Sequence, residues 1–284
     1  MLSVVIAAHH DEPCLYLTVH AAKFQLERYE IEHEIIVVAD GGTPTKWENE
    51  SVRCLRVNTG SPQGTRDAGI RAAKFRDVVC LESHVVVDDI AVLLSVHREK
   101  NSALTFPCRV AEGTEMFNVY GARTDWDGSL WYKNLVYEKP GNEPYRVSQF
   151  GHSAFALDRD WYLSSGGYTD LLRGWGGEEP FLCLKAWMLG RECWMVPAVR
   201  HAHYLTPGAH GGVTSSADFA RNMMTIAYVL GGEKQFRKAE RLYPGVALRM
   251  SSGIESERKK ICVGPFGGDL DKLREFMNSN GVMN

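Results

Sequence analysis

Residues 78–87 read VVCLESHVVV, an apolar run that ends in Glu82-Ser83-His84 before a second run of valines. Short apolar runs bounded by polar residues are typical of strands that are buried on both faces of a sheet. Glu82 and His84 are two residues apart at the predicted strand end, so their side chains can point the same way. A carboxylate and an imidazole suit Mn²⁺, although a loop of hydrogen-bonded polar residues has the same pattern.

Similar apolar runs surround this stretch and alternate with helical patterns. Residues 3–8 (SVVIAA) and 34–39 (EIIVVA) predict strands, and a helix between them begins near Pro13. Helical patterns also cover residues 64–75 and 88–99. This alternation predicts right-handed crossovers and an α/β fold with a mainly parallel sheet flanked by helices. Ligands bind such sheets at the carboxyl ends of the strands.

Two segments near these strand ends have the chemistry to bind a nucleotide. Asp40 follows the second strand, where its carboxylate can accept hydrogen bonds from a base or ribose, or can complete a local turn. Residues 58–73 form a glycine-punctuated loop that opens a helix, with Arg66 in its first turn. Backbone N–H groups and an arginine in this place suit a diphosphate, although an ordinary helix start has the same pattern.

Further along, residues 174–187 read GWGGEEPFLCLKAW and place Glu178 and Glu179 at a predicted helix start. Acids in a first turn are common for helix-dipole reasons alone, whereas a catalytic role requires a carboxylate that faces a sugar or an acceptor hydroxyl. Trp175 can stack on a sugar or pack as an ordinary aromatic residue. His201 and His203 follow the next predicted strand, and a histidine that met Glu82 and His84 would complete a metal shell.

The rest of the chain predicts hairpins and then helices. The aromatic-rich residues 109–150 predict antiparallel hairpins and loops. Residues 206–216 are glycine-rich and are expected to be a mobile loop. Helices are predicted near residues 217–230, 234–242 and 269–277, whereas residues 251–268 are expected to be irregular.

Bulk composition excludes several classes of protein. The 284 residues carry a net charge of -3, which gives no global attraction to nucleic acid or acidic membranes. Seven scattered cysteines without a CxxC motif favour a reducing compartment. The N-terminus reads as a buried strand and no apolar segment is long enough to span a membrane, so we expect a cytoplasmic protein with no membrane partner.

Together these motifs resemble the GT-A fold of family 2-like glycosyltransferases, in particular the catalytic domain of the polypeptide N-acetylgalactosaminyltransferases. That family has Asp-Ser-His at a strand end, then Trp-Gly-Gly-Glu-Asn, then Pro-x-x-Arg-x-x-His. This sequence has ESH at 82–84, WGGEE at 175–179 and PAVRHAH at 197–203, in the same order and with the same internal spacing. The resemblance covers roughly residues 1–210.

The resemblance implies an enzyme that moves a sugar from a nucleoside diphosphate, with uridine as the base, to an acceptor hydroxyl. It implies Mn²⁺ (or Mg²⁺) held by Glu82, His84 and His203, with catalysis at Glu178 and Glu179. The residues expected to bind the donor are Ala8, Asp40, Arg66, Ser83 and Trp175, with Arg66 near the diphosphate or Asp40. Residues 1–210 are expected to form the GT-A domain, with 206–216 closing over the donor, and 211–284 a helical extension packed on it.

Two residues depart from the family pattern. Glu82 replaces the usual aspartate, which lengthens the reach to the metal by one methylene group. Glu179 replaces asparagine, and inverting family 2 enzymes generally have an acid in this neighbourhood as general base. Glu179 can therefore be a base for inversion, or the reaction can retain configuration as in the family that the chain resembles. The lectin domain and membrane anchor of that family have no counterpart in the sequence, so we do not expect a secretory-pathway role.

Three alternatives stay open. The acceptor can be a protein, a saccharide or a hydroxymethylated base in phage-type DNA, and the only hint for DNA is residues 221–260, with nine Lys/Arg against four Asp/Glu. A nucleotidyltransferase would carry a glycine-rich basic loop after the first strand, where this chain has residues 9–12 (HHDE). An inactive nucleotide-sugar binding module is disfavoured because the acids Glu82, Glu178 and Glu179 are intact.

Overall fold

A computed structural model of the chain describes residues 1–9, 14–41, 52–111, 117–151, 153–168, 170–204, 216–246 and 251–283. Within these ranges the chain forms twelve strands and eight helices. The strands are, in chain order, β1 (Leu2–His9), β2 (His33–Asp40), β3 (Val52–Val57), β4 (Asp77–Glu82), β5 (Val85–Val87), β6 (Leu104–Ala111), β7 (Phe117–Val119), β8 (Gly121–Thr124), β9 (Tyr132–Val136), β10 (Tyr145–Arg146), β11 (Ala154–Asp158) and β12 (Cys193–His203). The helices are α1 (Leu15–Arg28), α2 (Pro62–Ala72), α3 (Ile90–Glu99), α4 (Arg159–Ser164), α5 (Glu178–Met188), α6 (Ser216–Leu242), α7 (Ser252–Cys262) and α8 (Leu270–Ser279).

Ten of these strands form one sheet, and β8 pairs with β9 in a separate two-stranded sheet. The order in the main sheet is β10-β12-β6-β11-β4-β1-β2-β3, with β5 paired to β12 and β7 to β6. β4, β1, β2 and β3 are parallel, and their register places Ala7 beside Glu82 and His9 beside Asp40. The carboxyl ends of these strands therefore meet at one edge of the sheet, and the predicted α/β fold with a mainly parallel sheet is confirmed.

Helices cover both faces of the sheet because the central strands are apolar on both sides. On β1, Val4 and Ile6 pack in one core cluster with α1 and α3, whereas Val5 belongs to a second cluster with α2 and α5. This alternation follows from the period of two in a strand. The C-terminal helices α6, α7 and α8 contribute to the second cluster, so the helical extension shares a hydrophobic core with the sheet.

α6 covers both of the helices that the sequence predicts near residues 217–230 and 234–242. Gly232, with φ of 66° and ψ of -160°, kinks α6 between them. α6 and α8 both pack against α5. The predicted domain boundary at residues 210–211 and the glycine-rich residues 206–215 lie outside the described residues, so the boundary and the loop stay predictions.

The sequence-based prediction was wrong or incomplete in five places. Residues 251–268, expected to be irregular, contain the helix α7, which Ser251 caps by accepting a hydrogen bond from the Ile254 N–H at 3.4 Å. The predictions also missed β5, β11 and α4, and ended the last strand at Val196. β12 instead continues to His203, past Pro197, because an irregularity in its pairing with β6 lies between Val196 and Arg200.

All seven cysteines are free thiols, and Cys80, Cys108, Cys183 and Cys193 are buried. They pack as small hydrophobic residues, as their positions in apolar runs predict. Among the helices described, none combines the length and the apolar character that crossing a membrane requires.

Close packing of α2 on the sheet generates a testable prediction at Gly69. A Cβ atom at this position would lie 2.7 Å from Val38 Cγ2 on β2 and would also collide with Val5 on β1. We expect Gly69→Ala to lower the free energy of unfolding by about 1–3 kcal/mol, because overpacking forces the helix away from the sheet. Urea denaturation measures the change. Arg71→Ala, on the exposed side of the same helix, is the control and should cost less than about 1 kcal/mol; equal effects of the two substitutions would contradict the packing explanation.

Candidate functional site

The turn between β4 and β5 carries two of the predicted metal ligands. β4 ends at Glu82, whose backbone N–H donates to the carbonyl oxygen of Ser153 at 2.9 Å. The N–H of Ser83 donates to the carbonyl oxygen of Ala7 at 3.0 Å. Because β1 and the segment before β11 both hold this turn, Glu82 and His84 lie side by side, with Glu82 Oε2 and His84 Nε2 3.4 Å apart.

The third predicted ligand, His203, is the last residue of β12. β12 pairs antiparallel with β5, and the register places His203 opposite Val85. The N–H of Tyr204 donates to the carbonyl oxygen of His84 at 2.9 Å, which continues the pairing into the turn. This short ladder brings together side chains that are 119 residues apart in the chain.

The three side chains form one compact donor cluster. Nε2 of His203 lies 2.9 Å from Glu82 Oε2 and 3.2 Å from Nε2 of His84. Both histidines are only 6% exposed. Within the described part of the chain, this is the group of three or more His, Cys, Asp or Glu side chains whose donor atoms all lie within 4.8 Å of one another.

The separations between these donor atoms fit a divalent cation. Ligand atoms about 2.1 Å from an ion and at right angles to one another lie about 3.0 Å apart. The observed separations of 2.9, 3.2 and 3.4 Å are close to this value. Two imidazole nitrogens and one carboxylate oxygen form a donor set that suits a divalent transition metal such as Mn²⁺, and a cation would accept the two facing Nε2 lone pairs together.

Arg66 of α2 fixes the charge of this cluster. Its Nη2 donates to Glu82 Oε1 at 2.6 Å, and its Nη1 lies 3.8 Å from Glu178 Oε1. Burial alone would raise the pKa of Glu82, but hydrogen bonds from His203 and His84 and the charge of Arg66 lower that pKa well below its usual range. Burial opposes the charge of Arg66 too, yet the neighbouring acids raise the pKa of the guanidinium above its ordinary value. Glu82 and Arg66 are therefore both charged.

Glu178 and Glu179 begin α5 on the other side of Arg66. Glu178 is 1% exposed, and its Oε2 accepts a hydrogen bond from the Gly176 N–H at 2.9 Å. Burial raises the pKa of Glu178, against the charge of Arg66, which lowers it. Burial and the charge of Glu178 raise the pKa of Glu179 well above its ordinary value. Glu179 Oε2 is buried and has no hydrogen-bond partner, so it is available to take a proton.

Three of the predicted donor-binding residues, Ala8, Asp40 and Ser83, lie at or just beyond the carboxyl ends of β1, β2 and β4, but Arg66 does not pair with Asp40. Asp40 is 3% exposed and accepts hydrogen bonds from the Thr59 N–H at 2.9 Å and the Thr65 hydroxyl at 3.1 Å. It thereby joins β2 to the start of α2, whereas Arg66 pairs with Glu82. Ala8 is buried at the end of β1 beside Ala39 of β2, and Ser83 is buried in the β4–β5 turn.

Trp175 belongs to an aromatic cluster beside the two α5 carboxylates. Its ring is stacked on Phe219 of α6, with centroids 6.1 Å apart and an interplanar angle of 22°. Trp131, from the segment between β8 and β9, meets Trp175 edge-on at 5.9 Å. Trp175 as a whole is partly buried.

Two further buried residues, His201 of β12 and Gln63 of α2, differ from what the sequence predicts. His201 lies outside the donor cluster, because its Nε2 lies 2.8 Å from the Ser153 hydroxyl. Burial lowers the pKa of His201 to about 3, so its side chain is neutral. Gln63 of α2 was not singled out, although both polar atoms of its buried amide lack a hydrogen-bond partner. The available signal was its spacing, because residues three apart on a helix share a face and Gln63 precedes Arg66 by three.

Comparison with known proteins relates this geometry to characterised enzymes. No protein-family model matches the chain. The chain is similar to polypeptide N-acetylgalactosaminyltransferase 10 of Mus musculus, with 26% identity over 196 residues, which are 63% of this chain and 32% of that protein. The chain therefore spans about a third of the length of this curated relative.

Two solved structures share the fold. A crystal structure of GalNAc-T7 with UDP, GalNAc and Mn²⁺ superimposes with a TM-score of 0.80 at 21% identity, over 99% of this chain and 57% of that one. A crystal structure of residues 1–349 of S. aureus TarS in complex with UDP-GlcNAc superimposes with a TM-score of 0.59 at 13% identity, over 99% of this chain and 92% of that one. The chain has the GT-A fold of glycosyltransferases, and its sequence resembles the catalytic domain of the polypeptide N-acetylgalactosaminyltransferases.

Proposed function

We propose that the chain is a metal-dependent glycosyltransferase that moves a sugar from a UDP-linked donor to an acceptor hydroxyl. The observation that carries this proposal is the cluster of Glu82, His84 and His203, whose donor atoms are 2.9 to 3.4 Å apart. The resemblance to GalNAc-T7, whose crystal structure holds UDP, GalNAc and Mn²⁺, supports it. We assign Mn²⁺, or Mg²⁺ in its place, to this cluster.

The surrounding residues prepare the cluster for a cation. Arg66 binds Glu82 Oε1 and leaves Oε2 to face the two histidines, so the carboxylate presents a single oxygen to the metal site. A divalent cation bound there would supply positive charge against the diphosphate as it leaves the sugar. The positive charge of Arg66 favours the ionised form of the Glu82 carboxylate, as a metal ligand must be.

The carboxylates of α5 supply the opposite charge on the sugar side. Breaking the bond between the anomeric carbon and the diphosphate places positive charge on the sugar ring. Glu178 and Glu179 follow directly after Trp175-Gly176-Gly177, and Arg66 is the guanidinium that balances them. We assign both carboxylates to stabilising that charge or orienting the acceptor, and Trp175 to contact with the sugar.

Glu179 is also our candidate for the general base. Its buried Oε2 has no hydrogen-bond partner, and burial makes it a stronger base than an ordinary glutamate. In this role it takes the acceptor hydroxyl proton while the acceptor oxygen bonds to the anomeric carbon and the diphosphate departs, which inverts the anomeric configuration. If Glu179 only positions the acceptor, the reaction can instead retain configuration.

The acceptor can be a protein, a saccharide or a modified base in DNA. The basic segment that hinted at DNA has many of its charges in internal contacts: Lys238 pairs with Asp127, Lys260 pairs with Glu257, and Arg258 donates to backbone carbonyl oxygens. We therefore propose a protein or saccharide acceptor first. Duplex DNA binding that weakens steeply with salt would reverse this order.

A screen of nucleotide sugars tests the proposed function directly. Purified protein is incubated with each UDP-sugar, with Mn²⁺ or with EDTA, and release of UDP is measured before acceptors are tried with the active donor. We expect metal-dependent hydrolysis of at least one UDP-sugar. Formation of UTP and a sugar 1-phosphate when pyrophosphate is added would instead indicate a nucleotidyltransferase, and binding without any hydrolysis or transfer would indicate an inactive binding module.

Metal binding tests the ligand assignment apart from catalysis. We expect the wild-type protein to bind one Mn²⁺ in a calorimetric titration, and His203→Ala to weaken binding by at least about 100-fold, because it removes one of three protein ligands. His201→Gln, two residues away on the same strand and outside the cluster, is the matched control. Unchanged Mn²⁺ affinity in His203→Ala would exclude the assigned site.

Substitution of Glu179 separates a base from a positioning group. As a base, Glu179→Gln should lower kcat by roughly 10²–10⁴-fold with little change in Mn²⁺ affinity. Because the base must be ionised and burial raises its pKa, the wild-type rate should fall with decreasing pH at a pH above the ordinary glutamate value of 4.5, and the substitution should remove that fall. Glu275→Gln, on an exposed face of α8, is the control. A loss of only a few-fold, with the pH dependence retained, would leave Glu179 a positioning role only.

A further inference from the structure

The loop that leads into Glu178 is rich in glycine, so its own residues restrict its backbone conformation only weakly. Residues 173–177 read RGWGG, and Gly174, Gly176 and Gly177 have φ of 58°, 101° and 95°. This left-handed region is open to glycine but strained for other residues, and glycine is also the residue that is least restricted in a free chain. Such a loop has to be held in place by contacts from outside it.

Asn222 of α6 supplies those contacts through one buried amide. Its Oδ1 accepts a hydrogen bond from the Arg173 N–H at 2.9 Å. Its Nδ2 donates to the carbonyl oxygens of Arg173 at 2.7 Å and Gly176 at 2.9 Å. Asn222 has 0% exposure, and its three bonds span the loop from its first residue to its fourth; the bond to Gly176 is fully buried.

Neighbouring residues on the same face of α6 close over the loop. Residues 219, 222, 223 and 226 follow the helical spacing of three and four, so they share one face. A Cβ atom at Gly177 would lie 2.6 Å from Ile226 Cδ1 and 3.0 Å from Met223 Cε, and the ring of Phe219 occupies the corresponding space at Gly176. The helix therefore touches the loop backbone directly.

Gly176 connects this contact to the carboxylates. Its carbonyl oxygen accepts from Asn222, and its N–H donates to Glu178 Oε2 at 2.9 Å. Glu178 in turn lies 3.8 Å from Arg66, which binds Glu82 at 2.6 Å. A continuous path of polar contacts thus runs from α6 to the metal cluster.

We propose that Asn222 is a positioning residue that fixes the loop 173–177, and through it Glu178 and Glu179, against the sugar side of the site. This inference rests on the proposed glycosyltransferase function for its catalytic consequence. Asn222 itself stands behind the loop and does not touch the metal cluster. Its loss should therefore displace the carboxylates while the histidine and Glu82 donors, which β4, β5 and β12 hold, keep their arrangement.

Asn222→Asp is the sharpest substitution, because it keeps the size of the side chain and the acceptor for the Arg173 N–H. The new carboxylate oxygen faces the carbonyl oxygens of Arg173 and Gly176 in place of an N–H donor. Thr225→Val is the matched control: Thr225 is equally buried on the same helix, but its hydroxyl donates to Arg221 within α6 and not to the loop. Asn222→Ser replaces the aspartate variant if that variant does not fold.

Three measurements are made on each variant: kcat and KM for transfer, Mn²⁺ affinity by calorimetry, and hydrogen–deuterium exchange. For Asn222→Asp we expect kcat to fall roughly 10–100-fold, as for a misplacement of about 1 Å, with Mn²⁺ affinity unchanged. Exchange should rise in peptides covering 173–179 and stay constant in those covering β4 and β12. Thr225→Val should show neither effect.

Normal kcat and normal exchange in Asn222→Asp would overturn the proposal, as would equal changes in Thr225→Val. The exchange measurement does not depend on catalysis. If the wild-type protein hydrolyses no nucleotide sugar, the proposed function fails. A selective rise in exchange at 173–179 in Asn222→Asp would still support the positioning of the loop by Asn222.

Discussion

The site depends on one buried guanidinium that stands between two groups of acids. Arg66 binds Glu82 on one side and faces Glu178 on the other, and no more than 2% of its surface is exposed. Removing one partner from a buried ion pair typically costs about 3–5 kcal/mol, because it leaves an uncompensated charge away from water. Arg66 therefore couples the end of β4 to the start of α5. Its two partners, Glu82 and Glu178, thus belong to the metal cluster and to the α5 carboxylates respectively.

The parallel half of the fold and its strand-end residues could be predicted from sequence, because the spacing of apolar residues, the apolar runs and the turn residues are local signals. VVCLESH predicts both a strand and the polar pair that follows it. The meeting of His203 with His84 is different in kind, since it depends on β5–β12 pairing between segments 119 residues apart. β5 has only three residues, and β12 continues past a proline, so neither gives a strong local signal. Only the family resemblance pointed to His203 in place of His201.

The partner of Arg66 could not be predicted for a related reason. Sequence places Arg66 in the first turns of a helix, and a nearby diphosphate or Asp40 were both reasonable partners. In the structure, the hydroxyls of Thr59 and Thr65 already donate hydrogen bonds to the Asp40 carboxylate, so that carboxylate links the helix start to β2. Arg66, which adjoins Thr65 in the sequence, is directed to Glu82 instead. The longer glutamate, in place of the aspartate of the resembling family, offers one oxygen to Arg66 and the other to the histidines.

The C-terminal helices do more than cover the sheet. An extension that only covered the sheet would contact it through apolar side chains, and α6, α7 and α8 do contribute such contacts. α6 in addition directs a buried amide at a backbone turn, which costs desolvation unless every bond is made. Asn222 makes three bonds to the loop that carries Trp175 and leads into Glu178. Three glycines give that loop its left-handed turns and a flexible backbone, and hydrogen bonds from α6 restrict that backbone. Under the proposed function, the positioning of Glu178 and Glu179 on the sugar side thus depends on the C-terminal helices as well as on the sheet.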